Sequence, residues 1–385
     1  MRIGFVSSGD IYDRRSWSGT ISFLAGRLSE RHDVVPIVVD DIWKKYFNKL
    51  IAMATGGRHH HSRLPLRLER IALSRKIRKA HCDLYFAPAV SEMIACGGIP
   101  SDAKVIYLSD ATYHLMVGYY LFHETTFDQE YSNRMERLAL SRADAVILSS
   151  DWAVDDARLY YGIAPDKLRM LCFGANLPDR YISRGALGDD ADLGETVRLL
   201  LVGVDWERKG IDVAIDAVGS LNRRGDGHTY ELTIVGFDGP QNGRSPDSHV
   251  HYAGRLNKND PRQLDLLVRH YQDSDLFILP TRAECSAIVF AEAAMYGLPT
   301  FTYATGGVES YVESGVTGEC LPAGAGADRF ADAISALVQS GDYARYAVQA
   351  RRKYESELNW DTWFREFDSI AEAVMKSGHI TKGKP

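Results

Sequence analysis

Paired cysteines are missing from this sequence. Its five cysteines (Cys82, Cys96, Cys172, Cys285 and Cys320) are odd in number and far apart, with no C-x-x-C spacing. That argues against a disulfide framework or a cysteine zinc site and fits a reducing, cytoplasmic compartment. Also missing is any run approaching the roughly 20 apolar residues that span a bilayer, so membrane contact is expected to be peripheral. The start, Met1-Arg2-Ile3-Gly4-Phe5-Val6-Ser7-Ser8, enters an apolar strand at once, and no export leader is expected. There is no repeat of short fixed period, which excludes a solenoid or propeller. Excess positive charge is lacking too: a net charge of −6 argues against general nucleic-acid binding. No G-x-G-x-x-G follows the first strand of either half. A dinucleotide oxidoreductase therefore fails on glycine spacing, although Asp40 stands about 20 residues after Gly19, where a ribose-binding acid would be. Asp190-Ala191-Asp192 has the look of a metal-binding D-x-D, but it sits in a linker, and no metal site is expected.

What is present is enough apolar sequence for two cores. A chain of 385 residues exceeds the size at which one core stops growing. Short β-branched runs alternate with segments of helical period, the pattern of parallel α/β sheets. Strands are expected at Arg2–Ser8, Val34–Asp40, Leu84–Pro88, Lys104–Ser109, Ala145–Ser150 and Leu168–Phe173. A glycine- and acid-rich stretch, Gly185–Glu195, interrupts the pattern. It restarts at Val197–Val204, with further strands near Tyr230–Val235, His249–Ala253, Asp275–Pro280, Pro299–Tyr303 and Glu319–Leu321. The region from Ala327 to about Ser377 reads as helical, with Trp360 and Trp363 as apolar anchors. The division expected is a first doubly wound domain over 1–178, a linker over 179–195, a second domain over 196–360, and a C-terminal helix and tail over 361–385.

In such sheets ligands sit outside the carboxyl ends of the strands, so the loops there carry the chemistry. After Asp275–Pro280 comes Thr281-Arg282-Ala283-Glu284-Cys285-Ser286-Ala287-Ile288, then a helix to Met295 that is apolar all round except at Glu292. A helix of that kind is buried, and a buried carboxylate needs strong donors. An internal salt bridge and a pair of ribose hydroxyls both satisfy it. The backbone N–H groups of Cys285 to Ala287, beside Glu284, suit an anion. After Val197–Val204 stands Asp205-Trp206-Glu207-Arg208-Lys209-Gly210, two adjacent cations suited to a diphosphate. After Pro299–Tyr303, the pair Gly306-Gly307 opens a helix and lets backbone approach an anion. Singly each loop also reads as a solvated or tight turn; three together at the strand ends of one sheet favour a nucleotide-diphosphate site.

With these residues in place, the C-terminal half resembles family 4 of the retaining glycosyltransferases, whose mark is two glutamates spaced as Glu284 and Glu292 are. The resemblance runs through Val202-Gly203, Arg208-Lys209-Gly210, Ile234-Val235-Gly236, Tyr252-Ala253-Gly254, Leu279-Pro280-Thr281, Gly297-Leu298-Pro299 and Gly306-Gly307, and covers nearly the whole chain. It implies the α/β GT-B architecture, two Rossmann-like doubly wound domains facing each other across a cleft, with a C-terminal helix returning to the first. It implies that Glu292 holds the ribose, Glu284 contacts the transferred sugar, Arg208 and Lys209 bind the diphosphate, and the base stacks near Gly254-Arg255-Leu256. Cys285, Ser286, Ala287, Ile288, Gly203, Gly306 and Gly307 would complete the donor site. Two departures stand out: Val204 occupies a position where many members have arginine, for which Arg208 is the candidate substitute, and Cys285-Ser286-Ala287 replaces a glycine-rich loop. The implied activity is metal-independent, retaining hexosyl transfer from a UDP- or GDP-linked sugar, a co-substrate and not a resident cofactor, to a saccharide or lipid-linked acceptor in envelope polysaccharide synthesis. A nucleotide-sugar epimerase of the same architecture and a non-catalytic nucleotide-sugar-binding protein are the alternatives.

The first half supplies the acceptor side. Ser18-Gly19-Thr20 offers a helix cap and a close-approach glycine to a phosphate reached across the cleft. At the end of Lys104–Ser109, Asp110 stands near the family's histidine position, with His114 as the alternative. The segment Phe173-Gly174-Ala175-Asn176 resembles the family's hinge. Tyr113, Tyr119, Tyr120 and Phe122 read as an acceptor lining or as core. From Lys44 to His81, including the most basic part at 58–81, Glu69 is the single acid. Leu64, Leu66, Leu68, Ile71, Leu73 and Ile77 among those cations suit a helix lying on anionic lipid, or a solvated surface. The expected location is cytoplasmic, at most peripheral to the inner membrane face.

Overall fold

A computed structural model of the chain describes every residue except 14–15, 40–45, 48, 51–52, 55, 57–62, 183–192, 287 and 378–385, together with the side chains of 63–65. Asp40, the basic residues Arg58 to His61, the Asp190-Ala191-Asp192 triplet and Ala287 therefore lie outside the described residues. The chain forms two units. One contains Met1–Leu171 and the residues from Trp363 on; the other is Cys172–Thr362.

In the first unit the order is β1 (Arg2–Ser7), α1 (Thr20–Arg31), β2 (Asp33–Val38), α2 (Arg63–Ala80), β3 (Leu84–Pro88), α3 (Ser91–Ala95), β4 (Lys104–Ser109), α4 (Tyr113–Met116), α5 (Thr126–Arg142), β5 (Ala145–Leu148), α6 (Asp151–Leu159) and β6 (Leu168–Met170). In the second it is β7 (Thr196–Val202), α7 (Ile211–Arg224), β8 (Thr229–Val235), β9 (Val250–Tyr252), α8 (Pro261–Gln272), β10 (Leu276–Leu279), α9 (Ile288–Met295), β11 (Thr300–Ala304), β12 (Gly318–Pro322), α10 (Ala327–Ser340) and α11 (Tyr343–Ser356). The last helix, α12 (Trp360–Lys376), starts in the second unit and belongs to the first from Trp363.

Each unit is built on a six-stranded parallel sheet, in the orders β2-β1-β3-β4-β5-β6 and β12-β11-β10-β7-β8-β9. Helices on both faces bury such sheets, which is why β3, β5 and β10 are apolar and buried along their whole length. The helices obey local rules. Ser150, Thr125 and Asp260 cap α6, α5 and α8 through their side chains, and Pro261 opens α8 without wasting a donor. On α7, Ile211, Ala214, Ile215, Val218 and Leu221 form the buried face at helical spacing. In the second sheet the strand order reverses between β7 and β10, and the ligand crevice of a doubly wound sheet opens at that point.

The unit boundary falls at Leu171–Cys172 and not within 179–195. Residues 173–176 are already tied into the second unit: the Phe173 N–H donates to the Tyr311 hydroxyl, and the Trp360 indole N–H to Asn176. The C-terminal helix does return to the first unit, where Trp363 stacks on Phe367 at 5.4 Å and Phe367 meets Phe86 edge-on at 5.1 Å. The lipid-facing reading of α2 needs correcting in part. Leu73 and Ile77 are buried in the core of their own unit, because only one side of α2 is free of the sheet; Leu68 and Ile71 remain exposed. Among the described residues no helix is long and apolar enough to cross a membrane.

Candidate active site

The turn after β7 is held in place by backbone. Gly210 has φ +64°, and a Cβ there would lie 2.0 Å from the Pro280 carbonyl oxygen, so the turn rests directly on the end of β10. Within it, the Arg208 N–H donates to Asp205 Oδ1 at 3.0 Å and its guanidinium to Asp205 and to the Ala283 carbonyl, at 3.3 and 3.1 Å. The Lys209 ammonium donates to the Glu284 carboxylate, and Arg208 Nη1 lies 3.6 Å from the same oxygen. Lys209 and Glu284 are both buried. The two cations and the first glutamate expected from sequence therefore form one cluster at the switch point between β7 and β10.

A second layer fixes the cluster. The Arg282 N–H and Thr281 hydroxyl both donate to the Arg208 carbonyl, at 2.7 and 3.2 Å. The Arg282 guanidinium grips Asp212 with two hydrogen bonds of 3.1 and 2.9 Å. Burial pushes the Asp212 carboxyl up, but the hydrogen bonds and charge of Arg282 outweigh it and hold the group below the usual carboxylate range. From the third loop, the Gly307 N–H donates to the Glu284 carbonyl at 3.0 Å. The glycine pair opens only a short 3-10 turn, Val308–Ser310, and not the helix expected, because Tyr311 and Val312 turn inward to the core.

Glu292 is 0% exposed. Its carboxylate accepts from the Lys258 ammonium and, at 2.9 Å, from the Tyr271 hydroxyl. The internal salt bridge left open by the sequence is thus formed in this structure. Burial, and then the charge of Glu292, push the Tyr271 phenol well above its ordinary range. Sequence reasoning missed Lys258, Tyr271, Arg282 and Asp212, since their pairings join distant loops and follow no local spacing. Gly203 packs under the Lys209 side chain, where a Cβ would meet Cγ at 2.9 Å. At the expected base position Gly254 has φ +71°, Arg255 is exposed and Leu256 packs on the core. Cys285 and Ile288 are buried beside Glu284, and Ser286 is half-buried.

In the first unit, Trp17, Ser18 and Gly19 are all left-handed, with φ of 49°, 56° and 87°. Ser18 was expected to cap α1; the N-cap is Gly19, with no side-chain cap, because this backbone run carries the Ser18 side chain outside the cap position. The Trp17 indole N–H donates to Asp110 Oδ2 at 2.9 Å, which brings Asp110 to the glycine loop. His114 goes elsewhere: Nδ1 is 2.7 Å from Asp156 Oδ1, and its ring stacks on Tyr160 at 3.6 Å. The structure therefore joins Asp110 to Trp17 and places His114 on the flank of α6. Tyr113, Tyr119 and Tyr120 are half-buried and Phe122 is exposed, so they are not core.

Beneath β4, Glu136 is buried and accepts from the Tyr107 hydroxyl at 3.1 Å. Burial raises its carboxyl to about 7, with Asp110 and Asp156 adding to the shift and bonds from Ser91 and Tyr107 opposing it. The folded state thus binds this proton more tightly than the unfolded chain, and stability falls as pH rises from about 4.5 through 7. Glu136→Gln is expected to match wild type at pH 5, where the acid is neutral, and to exceed it in urea midpoint at pH 8. A difference independent of pH would exclude a buried, titrating carboxyl here.

Two six-stranded parallel sheets, the second with this cluster at its switch point, give the chain the GT-B fold class. Residues 196–340 match the family model for group 1 glycosyl transferases, so that segment of the second unit resembles this family. The D-inositol 3-phosphate glycosyltransferase of Kribbella flavida is 26% identical over 239 residues, which are 59% of this chain and 55% of that protein. The chain thus spans about half the length of the curated relatives it matches. Among solved structures, sucrose-phosphate synthase from Thermosynechococcus elongatus superposes with a TM-score of 0.66 at 16% identity, covering 98% of this chain and 100% of that one. Anabaena HepE in complex with UDP and glucose gives 0.61 at 17%, covering 97% and 100%. At such identities the structural likeness concerns the fold alone.

Proposed function

We propose that the protein is a retaining, metal-independent glycosyltransferase that moves a hexosyl unit from a UDP- or GDP-linked sugar to a saccharide or glycolipid acceptor, in envelope polysaccharide synthesis. The observation that carries this reading is the convergence of Lys209 and Arg208 on Glu284 at the β7/β10 switch point. A leaving diphosphate gains charge as the glycosidic bond breaks, and two preorganised cations lower the energy of that state without a metal. Glu284 accepts from the transferred sugar's hydroxyls, and Glu292 from the ribose. The proton of the acceptor hydroxyl passes to a phosphate oxygen of the departing donor, on the face that the new bond forms. The first unit, with Asp110 and Trp17, binds the acceptor. That HepE, of the same fold, was captured with UDP and glucose supports a uridine donor among the alternatives.

Thermal-shift titration with UDP, GDP, ADP and NAD tests the reading. Saturable stabilisation by one sugar-linked diphosphate, weakened in Glu292→Ala, is expected; stabilisation by NAD alone, or by none of the four, sinks it. Turnover of a nucleotide sugar without acceptor would instead favour an epimerase. The exposed Leu68 and Ile71, flanked by exposed Arg67, Arg70 and Arg75, keep peripheral attachment to anionic lipid in the proposal. Co-sedimentation with phosphatidylglycerol vesicles, lost in the Leu68→Asp/Ile71→Asp double variant, is the expected result. Equal pelleting of both proteins would remove membrane attachment from the reading.

A further inference from the structure

Glu292 has no exposed surface, and among the described residues two groups donate to its carboxylate: the Tyr271 hydroxyl and the Lys258 ammonium. They are not equivalent. Tyr271 is itself 0% exposed, whereas the Lys258 side chain is 35% exposed. Of the two partners, Lys258 is therefore the one with a route to water, and a ligand hydroxyl that takes its place reaches Glu292 without moving Tyr271. Lys258 lies between β9 and α8 in a stretch anchored without its side chain. There the Asn257 N–H donates to Gln263 Oε1 at 2.8 Å and the Asn259 N–H to Asn257 Oδ1 at 2.9 Å. The long side chain can swing outward while that backbone stays in place.

We infer that Lys258 is a gate on Glu292, an ammonium that a vicinal diol of the ribose type displaces. The inference rests on the donor-site reading above and deepens it by naming the residue that opposes ribose entry. A carboxylate offers about four lone-pair directions on its two oxygens. Tyr271 can keep its bond to one oxygen while two hydroxyls take the directions that Lys258 gives up. The exchange keeps the buried charge satisfied throughout: an ion pair is traded for two charge-assisted hydrogen bonds, and the ammonium returns to water. A ligand without the diol has nothing to trade and leaves the gate shut. Lys258 then makes affinity depend on the ribose, because the apparent affinity of the site is reduced by the fraction of molecules in which the gate is open.

Calorimetric titration of wild type, Lys258→Met and Lys258→Arg tests this, using UDP or GDP, whichever stabilises wild type, and its 2′,3′-dideoxy counterpart. If the gate is open in one molecule in ten, Lys258→Met binds the ribonucleotide about tenfold tighter than wild type. Lys258→Arg, whose forked guanidinium holds a carboxylate through two bonds, binds it more weakly. The dideoxy compound binds all three proteins alike. Unchanged or weaker ribonucleotide binding by a folded Lys258→Met protein overturns the gate, as do equal shifts for the ribo and dideoxy compounds. Should Lys258→Met fail to fold, Lys258→Arg decides, and ribonucleotide binding equal to wild type overturns the gate. Wild type that binds neither ribonucleotide overturns the donor site itself, and the gate with it.

Discussion

Lys209→Ala is expected to lower glycosyl transfer by about 10²–10³-fold, the usual effect of removing one preorganised donor from a site where charge develops. Lys209 is the better target of the two cations because it is buried and points its ammonium at Glu284, whereas the Arg208 guanidinium is also engaged by Asp205 and Ala283. The loss should appear in kcat more than in KM if the cation acts mainly on the departing diphosphate. Stability should change less than activity. Breaking a fully buried ion pair costs about 3–5 kcal/mol. Here Arg208 remains 3.6 Å from the Glu284 carboxylate as a counter-cation, so the cost should fall below that range. Steady-state kinetics beside a urea melt separate the two effects. Transfer at the wild-type rate by a folded Lys209→Ala protein would remove the cation pair from the mechanism.

Gly210→Ala is expected to be among the most damaging single-methyl changes in the second unit. The added Cβ meets the Pro280 oxygen at 2.0 Å and the Pro280 carbonyl carbon at 2.8 Å, both backbone atoms that cannot rotate away. The residue also sits at φ +64°, where an L side chain costs roughly 1–2 kcal/mol before any clash. Relief requires the turn to lift off β10, which carries Lys209 away from Glu284. Stability should therefore fall by about 3 kcal/mol or more, in the range of strained backbone sites, and nucleotide binding should weaken with it. Gly225→Ala is the control: its φ is +62°, yet a Cβ there meets nothing within 4 Å. The difference in urea midpoint between the two variants measures the close approach alone. Equal midpoints would mean that the turn does not rest on Pro280.

The strands were legible because a parallel sheet buries both faces. Leu276-Phe277-Ile278-Leu279, for example, is a short apolar run closed at once by Pro280, the length and punctuation of a buried strand. The loops after β7 and β10 were legible for the same reason, since charges or glycines directly after such runs mark the ends where ligands bind. Helix starts were less so. Ser18 looked like a cap but stands in a left-handed run, next to Trp17, whose indole N–H donates to Asp110 far along the chain. His114 was the alternative to Asp110 at the position near the family's histidine, and nothing within the loop announced that its ring would bond Asp156 on α6.

The sequence by itself determined two doubly wound α/β units, the family that the second resembles, and the residue types at its strand ends. These depend on hydrophobic period and on local loop chemistry, both written within a few residues of one another. The tertiary structure alone decided the pairings: Lys209 with Glu284, Arg282 with Asp212, and Lys258 and Tyr271 with Glu292. Each joins loops or helices well separated in the chain, and a buried carboxylate accepts whichever donor the packed sheet brings near. Composition can announce that Glu292 needs a partner. Only the folded chain chooses which one it has.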